Sequence, residues 1–100
     1  MKNLSKEDFA QALQQKFILR TGGEQTLELS LVAVTHLTLH PVEKGPIRDE
    51  PFSLMFHGPV TPWARQHTYR LENETLGEVD IFLVPLGLSG SHMQYEAVFT

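Results

Sequence analysis

The chain has 100 residues, 41% of them hydrophobic, and a formal net charge of −4 at pH 7. This length predicts a single domain, residues 1–100, whose core needs neither a metal nor a disulfide. The absence of cysteine excludes thiolate metal sites and cysteine nucleophiles. The acidic balance argues against nucleic-acid and membrane partners, which both require a basic face. The opening residues lack the apolar core of a signal peptide, so we expect a cytoplasmic protein.

The first predicted element is a short amphipathic helix over residues 6–15. Ser5 and Asp8 stand at the spacing of a capping box, although Glu or Gln is the commoner partner of the serine. Phe9 and Leu13 recur on one helical face, and a helix this short is not stable alone. We therefore expect both side chains to pack across the open end or one face of a sheet.

After the helix the hydrophobic period changes to two, and paired glycines predict a hairpin. A three-residue loop at 22–24 places Leu19 opposite Leu27 and Phe17 opposite Leu29. A two-residue loop would instead set apolar residues opposite polar ones. Because a slip of one residue turns a whole strand over, we predict the three-residue loop.

The next strand is predicted over residues 25–40, with apolar side chains at its odd positions and also at Val32 and Val34. A strand of this length usually bends or bulges and pairs with two neighbours in turn. Pro41 ends it. Residues 41–51 carry three prolines, a glycine and five charged residues, which predicts a surface loop.

Alternating hydrophobicity predicts four further strands, over residues 52–57, 68–72, 78–86 and 93–99. Gly58-Pro59 ends the first of these strands, and residues 60–67 lack the alternation. They are predicted to form an irregular loop or a single helical turn with Pro62 near its start. The central stretch, residues 81–84, is apolar throughout, which predicts burial on both faces beside its return strand at 95–99. Together these elements predict a mainly β fold, a small six-stranded antiparallel barrel or sandwich with a short N-terminal helix.

The residues most typical of a binding surface are Trp63, Arg65 and Tyr69, because Trp, Tyr and Arg dominate binding hot spots. If Trp63 is exposed, the loop at 58–67 is the contact site. The favoured interpretation is that Trp63 folds back as a lid on the core.

Five histidines raise the question of a metal site. His57 and His67 flank the loop at 58–67 and could converge, with Glu72 or His92 as a third ligand. Solvent-facing positions are the favoured interpretation, and the sequence assigns no metal and no cofactor.

Other patterns associated with catalysis fit ordinary strand and turn positions. His36 and His40 have a spacing that chelates zinc on a helix, but on a strand they stand about 13 Å apart. Glu78 and Asp80 share a strand face, where solvation is the favoured interpretation. Residues 87–91 approach a nucleophile elbow but lack the second glycine at the required position, so we predict a turn.

The second half of the chain resembles a known family. The segments that carry the resemblance are Phe52-x-Leu54-x-Phe56-x-Gly58-Pro59, Gln66-x-x-Tyr69, Leu76-Gly77, Phe82-Leu83-Val84-Pro85-x-Gly87 and Tyr95-Glu96-Ala97-Val98-Phe99. They are similar to a family of bacterial proteins of about this size, described only as a domain of unknown function. Relatives encoded near collar or fibre proteins of phage-tail-like structures imply a structural or assembly role.

The polar members of this pattern are Gln66 and Glu96, whereas most of its positions are typical of cores and turns. Gln66 therefore joins the predicted binding residues. Glu96 is expected to be buried and bonded to a backbone group or to Arg70, because its segment is otherwise apolar.

We expect a non-enzymatic protein-interaction or assembly module that engages a protein partner or forms a homodimer. The candidate surfaces are an uncovered sheet edge and the loops at 41–51 and 58–67. One alternative is a small barrel that holds an apolar ligand, which an apolar cavity would support. Another is a small metal-dependent hydrolase that uses His57, His67 and a nearby carboxylate.

Overall fold

The computed structural model describes residues 4–21, 25–37 and 51–99. Its elements are α1 (Lys6–Ala10), β1 (Lys16–Arg20), β2 (Thr26–His36), β3 (Phe52–Gly58), β4 (His67–Asn73), β5 (Gly77–Ser89) and β6 (His92–Phe99). These six strands form a closed antiparallel barrel in the order β1-β2-β3-β6-β5-β4. The predicted fold class is confirmed, as a barrel rather than a sandwich. The predicted loop at 41–51 lies outside the described residues except for Pro51.

The helix α1 begins at the predicted capping box. Ser5 Oγ accepts a hydrogen bond from the Asp8 amide, and the Asp8 carboxylate accepts one from the Ser5 amide. The helix ends at Ala10, five residues before the predicted end. The backbone at residues 14 and 15 bonds to Leu31 in β2 instead, since the Gln14 amide donates to the Leu31 carbonyl and the Leu31 amide to that of Gln15. Pairing with β2 therefore replaces the last helical turn.

Phe9 attaches α1 to one end of the barrel. Its ring centroid lies 5.8 Å from that of Phe52 in β3 and 5.4 Å from that of Phe99 in β6. Phe52 and Phe99 stack on each other at 4.7 Å. Phe9 is buried as predicted, but the prediction for Leu13 is wrong, because the early end of the helix leaves this side chain 41% exposed.

The register of β1 against β2 is the one predicted. Leu19 lies opposite Leu27, and Phe17 lies opposite Leu29. All four side chains are buried. This match confirms that the apolar pattern specifies the pairing, while the loop at 22–24 itself lies outside the described residues.

Strand β2 bends as predicted and serves two neighbours. Its first half pairs with β1 and its second half with β3, and the register shifts between Leu31 and Ala33. The shift changes which positions face inward, because Leu31 is buried on the odd side and Val34 packs against the core on the even side. The apolar residues on the even side of this strand are explained by that bulge.

The prediction that residues 81–84 are buried on both faces is wrong. Ile81 and Leu83 point into the barrel, whereas Phe82 is 50% exposed on the outer wall. On β6, Tyr95 is buried and Val98 is exposed. One face of a barrel wall is turned toward the core and the other toward solvent. Because neighbouring side chains of a strand alternate between the two faces, some of the four consecutive apolar side chains must face solvent.

Strands β5 and β6 are joined later than predicted. They pair as expected, with Val84 opposite Glu96, but β5 continues to Ser89 and the turn is confined to residues 90 and 91. The register shifts between Pro85 and Gly87. Gly87 has a φ of 117°, which is readily adopted by glycine alone. The bulge lets the hairpin run beyond the predicted turn.

The interior of the barrel is filled by its own side chains. Phe17 and Phe56 meet edge to face with ring centroids 5.2 Å apart. The largest side chains with less than 2% exposure are Tyr95, Phe9, Phe17, Phe52, Phe56, Leu19, Leu29, Leu31, Leu54, Leu71, Ile81 and Leu83. Each stabilises the fold by about 1.5–3 kcal/mol relative to an exposed position.

Candidate interaction surface

The loop between β3 and β4, residues 59–66, lies at the opposite end of β3 from the Phe9 cluster. It starts after Gly58, which lies opposite Met93, and it ends before His67, which lies opposite Leu83. Two hydrogen bonds between described residues hold it. The Ala64 amide donates to the Tyr95 hydroxyl at 2.8 Å, and the Tyr69 hydroxyl donates to the Arg65 carbonyl at 2.9 Å.

The bond between Ala64 and Tyr95 is the internal anchor of this loop. Ala64 is 4% exposed and Tyr95 is fully buried, so the bond is shielded from water. A buried amide without a partner costs about 1–3 kcal/mol, so the tyrosine hydroxyl fixes where the loop enters the core. The side chains on either side of Ala64 must then face away from the barrel.

Trp63 is the largest of these outward side chains. It is 52% exposed, so the favoured prediction that it covers the core is wrong. The small side chain of Ala64 occupies the buried position instead, beside the hydroxyl of Tyr95. The other interpretation of Trp63, as an exposed residue of the loop, agrees with the structure.

The other predicted binding residues divide into two groups. Arg65 and Gln66 are exposed beside Trp63. Tyr69 is half-buried, packs against the core and meets the His67 ring edge to face at 5.3 Å. Tyr69 therefore supports the loop through its bond to Arg65, while Trp63, Arg65 and Gln66 present their side chains to solvent.

Exposed apolar side chains extend this surface onto the β5–β6 hairpin. Leu88 lies opposite Met93, and Met93 lies opposite Gly58, immediately before the loop. Leu88 is 62% exposed, and Leu86 and Val60 are exposed too. We call the set of Val60, Trp63, Arg65, Gln66, Leu86 and Leu88 the interaction surface. Sequence reasoning missed Leu86 and Leu88, although their position beside the bulge glycine was a usable signal.

A cleft of about 820 Å³ lies at the end of the barrel where β1 begins. It is open, and most of the residues that contribute to its lining are polar or charged by type: Gln14, Gln15, Lys16, Ile18, Glu72, Asn73, Glu74, Gly77 and Glu78. Asn73 is buried there and donates to Gln15 Oε1 at 3.1 Å and to the Lys16 carbonyl at 3.0 Å. Its own side-chain oxygen accepts from the amides of residues 75 and 76. The sequence did not reveal this link between β1 and the β4–β5 turn.

The histidines group differently from the prediction. The ring of His57 faces that of His92 at 5.2 Å, and His67 contacts Tyr69. Glu72, one of the two possible third ligands, accepts a hydrogen bond from Arg20 at 2.7 Å, and this bond lowers the pKa of the Glu72 carboxyl. These contacts give no support to a convergence of His57 and His67, the alternative to the favoured solvent-facing positions. No group of three metal-binding side chains occurs among residues 4–21, 25–37 and 51–99.

Glu96 is less buried than predicted and does not pair with Arg70, one of its two expected partners. Its side chain is only half-buried, on a strand face shared with Met55 and Val84. Arg70, its expected partner, donates to Asp80 at 3.1 Å instead. The reason is strand order, because β4 and β6 lie on opposite sides of β5.

Comparison with known proteins gives one result. The model of a family described as Domain of unknown function (DUF6916) matches residues 4–99. No curated protein and no solved structure gives a significant match. In the described part of the chain, no helix is both long and apolar enough to cross a membrane.

Proposed function

The chain belongs to the DUF6916 family, and we propose that it is a non-enzymatic protein-interaction module that binds its partner through the interaction surface. The observation that carries this proposal is the half-exposed Trp63 on a loop anchored to the core through Ala64 and Tyr95. A large aromatic side chain beside an arginine is the composition typical of binding hot spots.

The anchoring of the loop supports binding energetically. Association loses free energy whenever a loop must be ordered on contact. Here the backbone that follows Trp63 is already fixed, because Ala64 is bonded to Tyr95 and the Arg65 carbonyl accepts from Tyr69. The cost of ordering this loop on binding is therefore reduced.

The exposed leucines of the hairpin support the same location. A cluster of large exposed apolar side chains on a small protein is typical of an interaction site, whereas single exposed apolar residues are common on any surface. Leu88 lies across β6 from Gly58, the residue before the loop that carries Trp63, and Leu86 is two residues from Leu88 on the same strand. They would provide the apolar contact around the tryptophan that keeps water out of an interface.

Pairing through a free sheet edge, one of the predicted modes, has no support in the described strands. Each strand of the barrel has a neighbour on both sides. A closed barrel removes the edges through which strands usually recruit partners. We therefore assign partner binding, and any homodimer, to side chains rather than to strand addition.

The partner we propose is a component of a phage-tail-like assembly in the cytoplasm of the producing cell, as the family resemblance implies. The two alternative functions have less support. An apolar ligand would need space in a barrel whose interior is occupied by fully buried side chains. A metal-dependent hydrolase would need His57 and His67 to bind one metal ion together. In the structure the ring of His57 faces that of His92, whereas the ring of His67 contacts Tyr69.

A capture experiment tests the proposal. The untagged full chain is immobilised and exposed to an extract of its natural host and to the purified products of neighbouring genes. The Trp63→Ala variant removes the centre of the surface. Phe82→Ala is the matched control, because Phe82 is 50% exposed and lies on the barrel wall instead.

We expect one protein to be retained by the wild type and by Phe82→Ala, and to be reduced at least tenfold with Trp63→Ala. That protein should be a tail-like assembly component. The interaction proposal is contradicted if retention is unaffected by Trp63→Ala or if nothing is retained. A Trp63-dependent partner of another kind would overturn only the assembly assignment.

A further inference from the structure

His57, His92 and Gln94 gather on the outer face of strands β3 and β6. His57 lies directly opposite Gln94, and His92 is two residues from Gln94 on the same face. The imidazole rings of His57 and His92 have centroids 5.2 Å apart and planes within 19° of parallel. His57 is half-buried and His92 is exposed, so dissolved ions have access to the pair.

The ring spacing fits two imidazoles on one metal ion. With metal–nitrogen bonds of about 2.0–2.1 Å and a tetrahedral angle, two coordinated imidazole centroids lie about 5 Å apart. The neighbouring strands already set this separation. In the structure the two rings stack nearly parallel, so no single point lies in both ring planes. At least one imidazole must therefore rotate about its side-chain bonds before a nitrogen of each ring faces a shared ion.

Gln94 is the polar neighbour of His57 that a metal ion would have to displace. Its side-chain amide nitrogen lies 3.5 Å from His57 Nε2. A neutral imidazole has one ring nitrogen with a lone pair, and that lone pair is what a metal ion requires. A Gln94 N–H that donates to Nε2 occupies this lone pair, so a metal ion at Nε2 must replace Gln94 as its partner.

We propose that His57 and His92 form a surface site for a divalent transition-metal ion of the class that prefers imidazole, such as Zn²⁺ or Ni²⁺. Two protein ligands leave the remaining positions open to water or to a side chain of a bound partner. Glu96, two residues beyond Gln94 on the same face, adds negative charge that favours a cation. This site is separate from the proposed function of the Trp63 loop.

Calorimetric titration of the untagged full chain with Zn²⁺ and with Ni²⁺ tests the site. His57→Gln and His92→Gln each remove one ligand, and His67→Gln and His36→Gln are matched controls on other parts of the barrel. Histidine ring resonances recorded during the same titration identify which imidazoles contact the ion. Thermal unfolding of each variant without metal verifies that the fold is intact.

We expect one ion per chain, with affinity reduced at least about tenfold by either substitution at the pair and unchanged in the two controls. The ring signals of His57 and His92 should shift together. Absence of binding to the wild type overturns the proposal. An equal loss of affinity in His67→Gln, or shifts at His36 and His67 instead, overturns it as well.

Discussion

The most informative single substitution is Tyr95→Phe, because it removes one oxygen atom and leaves the packing of the ring in place. That oxygen accepts a hydrogen bond from the Ala64 amide at 2.8 Å, and both residues are buried. The substitution leaves the amide without a partner at a site that water does not reach. Leaving such a group unsatisfied costs about 1–3 kcal/mol.

Chemical and thermal unfolding measure this effect. For a domain of this size we expect Tyr95→Phe to lower the Tm by at least about 5 °C. Emission from Trp63, the only tryptophan, should change in the same variant because its loop loses its anchor. Tyr69→Phe is the control, since its hydroxyl bonds to the Arg65 carbonyl at an exposed position and its loss should cost less. Equal stability of Tyr95→Phe and the wild type would refute the anchoring role.

The same hydroxyl predicts a loss of stability at alkaline pH. Burial raises the pKa of the Tyr95 phenol above its ordinary value of 10.0, and the hydrogen bond from Ala64 offsets this only in part. The unfolded chain releases the phenol proton near pH 10, while the folded chain retains it. The contribution is therefore fully present below that pH and is lost as the pH rises toward the folded-state pKa. In unfolding curves at pH 9 to 11, Tyr95→Phe should lose less stability than the wild type.

Three other substitutions test the fold around the site by equilibrium unfolding. Phe9→Ala removes the ring that attaches α1 to the barrel end and should lower the free energy of unfolding by about 3–5 kcal/mol. A decrease below about 1 kcal/mol would show that the fold does not depend on α1. Gly58→Ala would place a Cβ 2.5 Å from Leu29 Cδ2 inside the core, so we expect the free energy of unfolding to fall by about 1–3 kcal/mol. An unchanged stability would mean that the Leu29 side chain can move aside without cost. Asn73→Asp replaces the buried amide group that donates to the Lys16 carbonyl with a carboxylate, which cannot donate. We expect the free energy of unfolding to fall by at least about 1–3 kcal/mol, and an unchanged value would argue against that hydrogen bond.

The order of polar and apolar residues within short segments was sufficient to predict much of the fold. The capping box at Ser5, the β1–β2 register and the bend in β2 follow from spacing and alternation, which depend on residues close in sequence. Their physical basis is also local, since a one-residue slip would bury polar side chains. The same logic gave the strand count and hence the fold class.

The candidate site was harder to predict because it depends on contacts distant in sequence. Tyr95 and Ala64 are 31 residues apart, and nothing in either segment indicates that they bond. Without that bond, the inward residue of the loop could not be identified, and Trp63 was the natural choice because of its size. Likewise, the exposure of Phe82 depends on barrel closure, and the pairing of His57 with His92 depends on strand order.

The most direct test of the proposed function is the affinity of the captured partner, measured by calorimetry with purified proteins. We predict that Trp63→Ala weakens binding by about thirtyfold or more, equivalent to at least about 2 kcal/mol, as for a central hot-spot residue. Phe82→Ala, with nearly the same exposure on the barrel wall, should change the affinity by less than about threefold, which is the range of contacts outside a hot spot. Unchanged affinity of Trp63→Ala, or an equal loss in both variants, would contradict binding through the Trp63 loop.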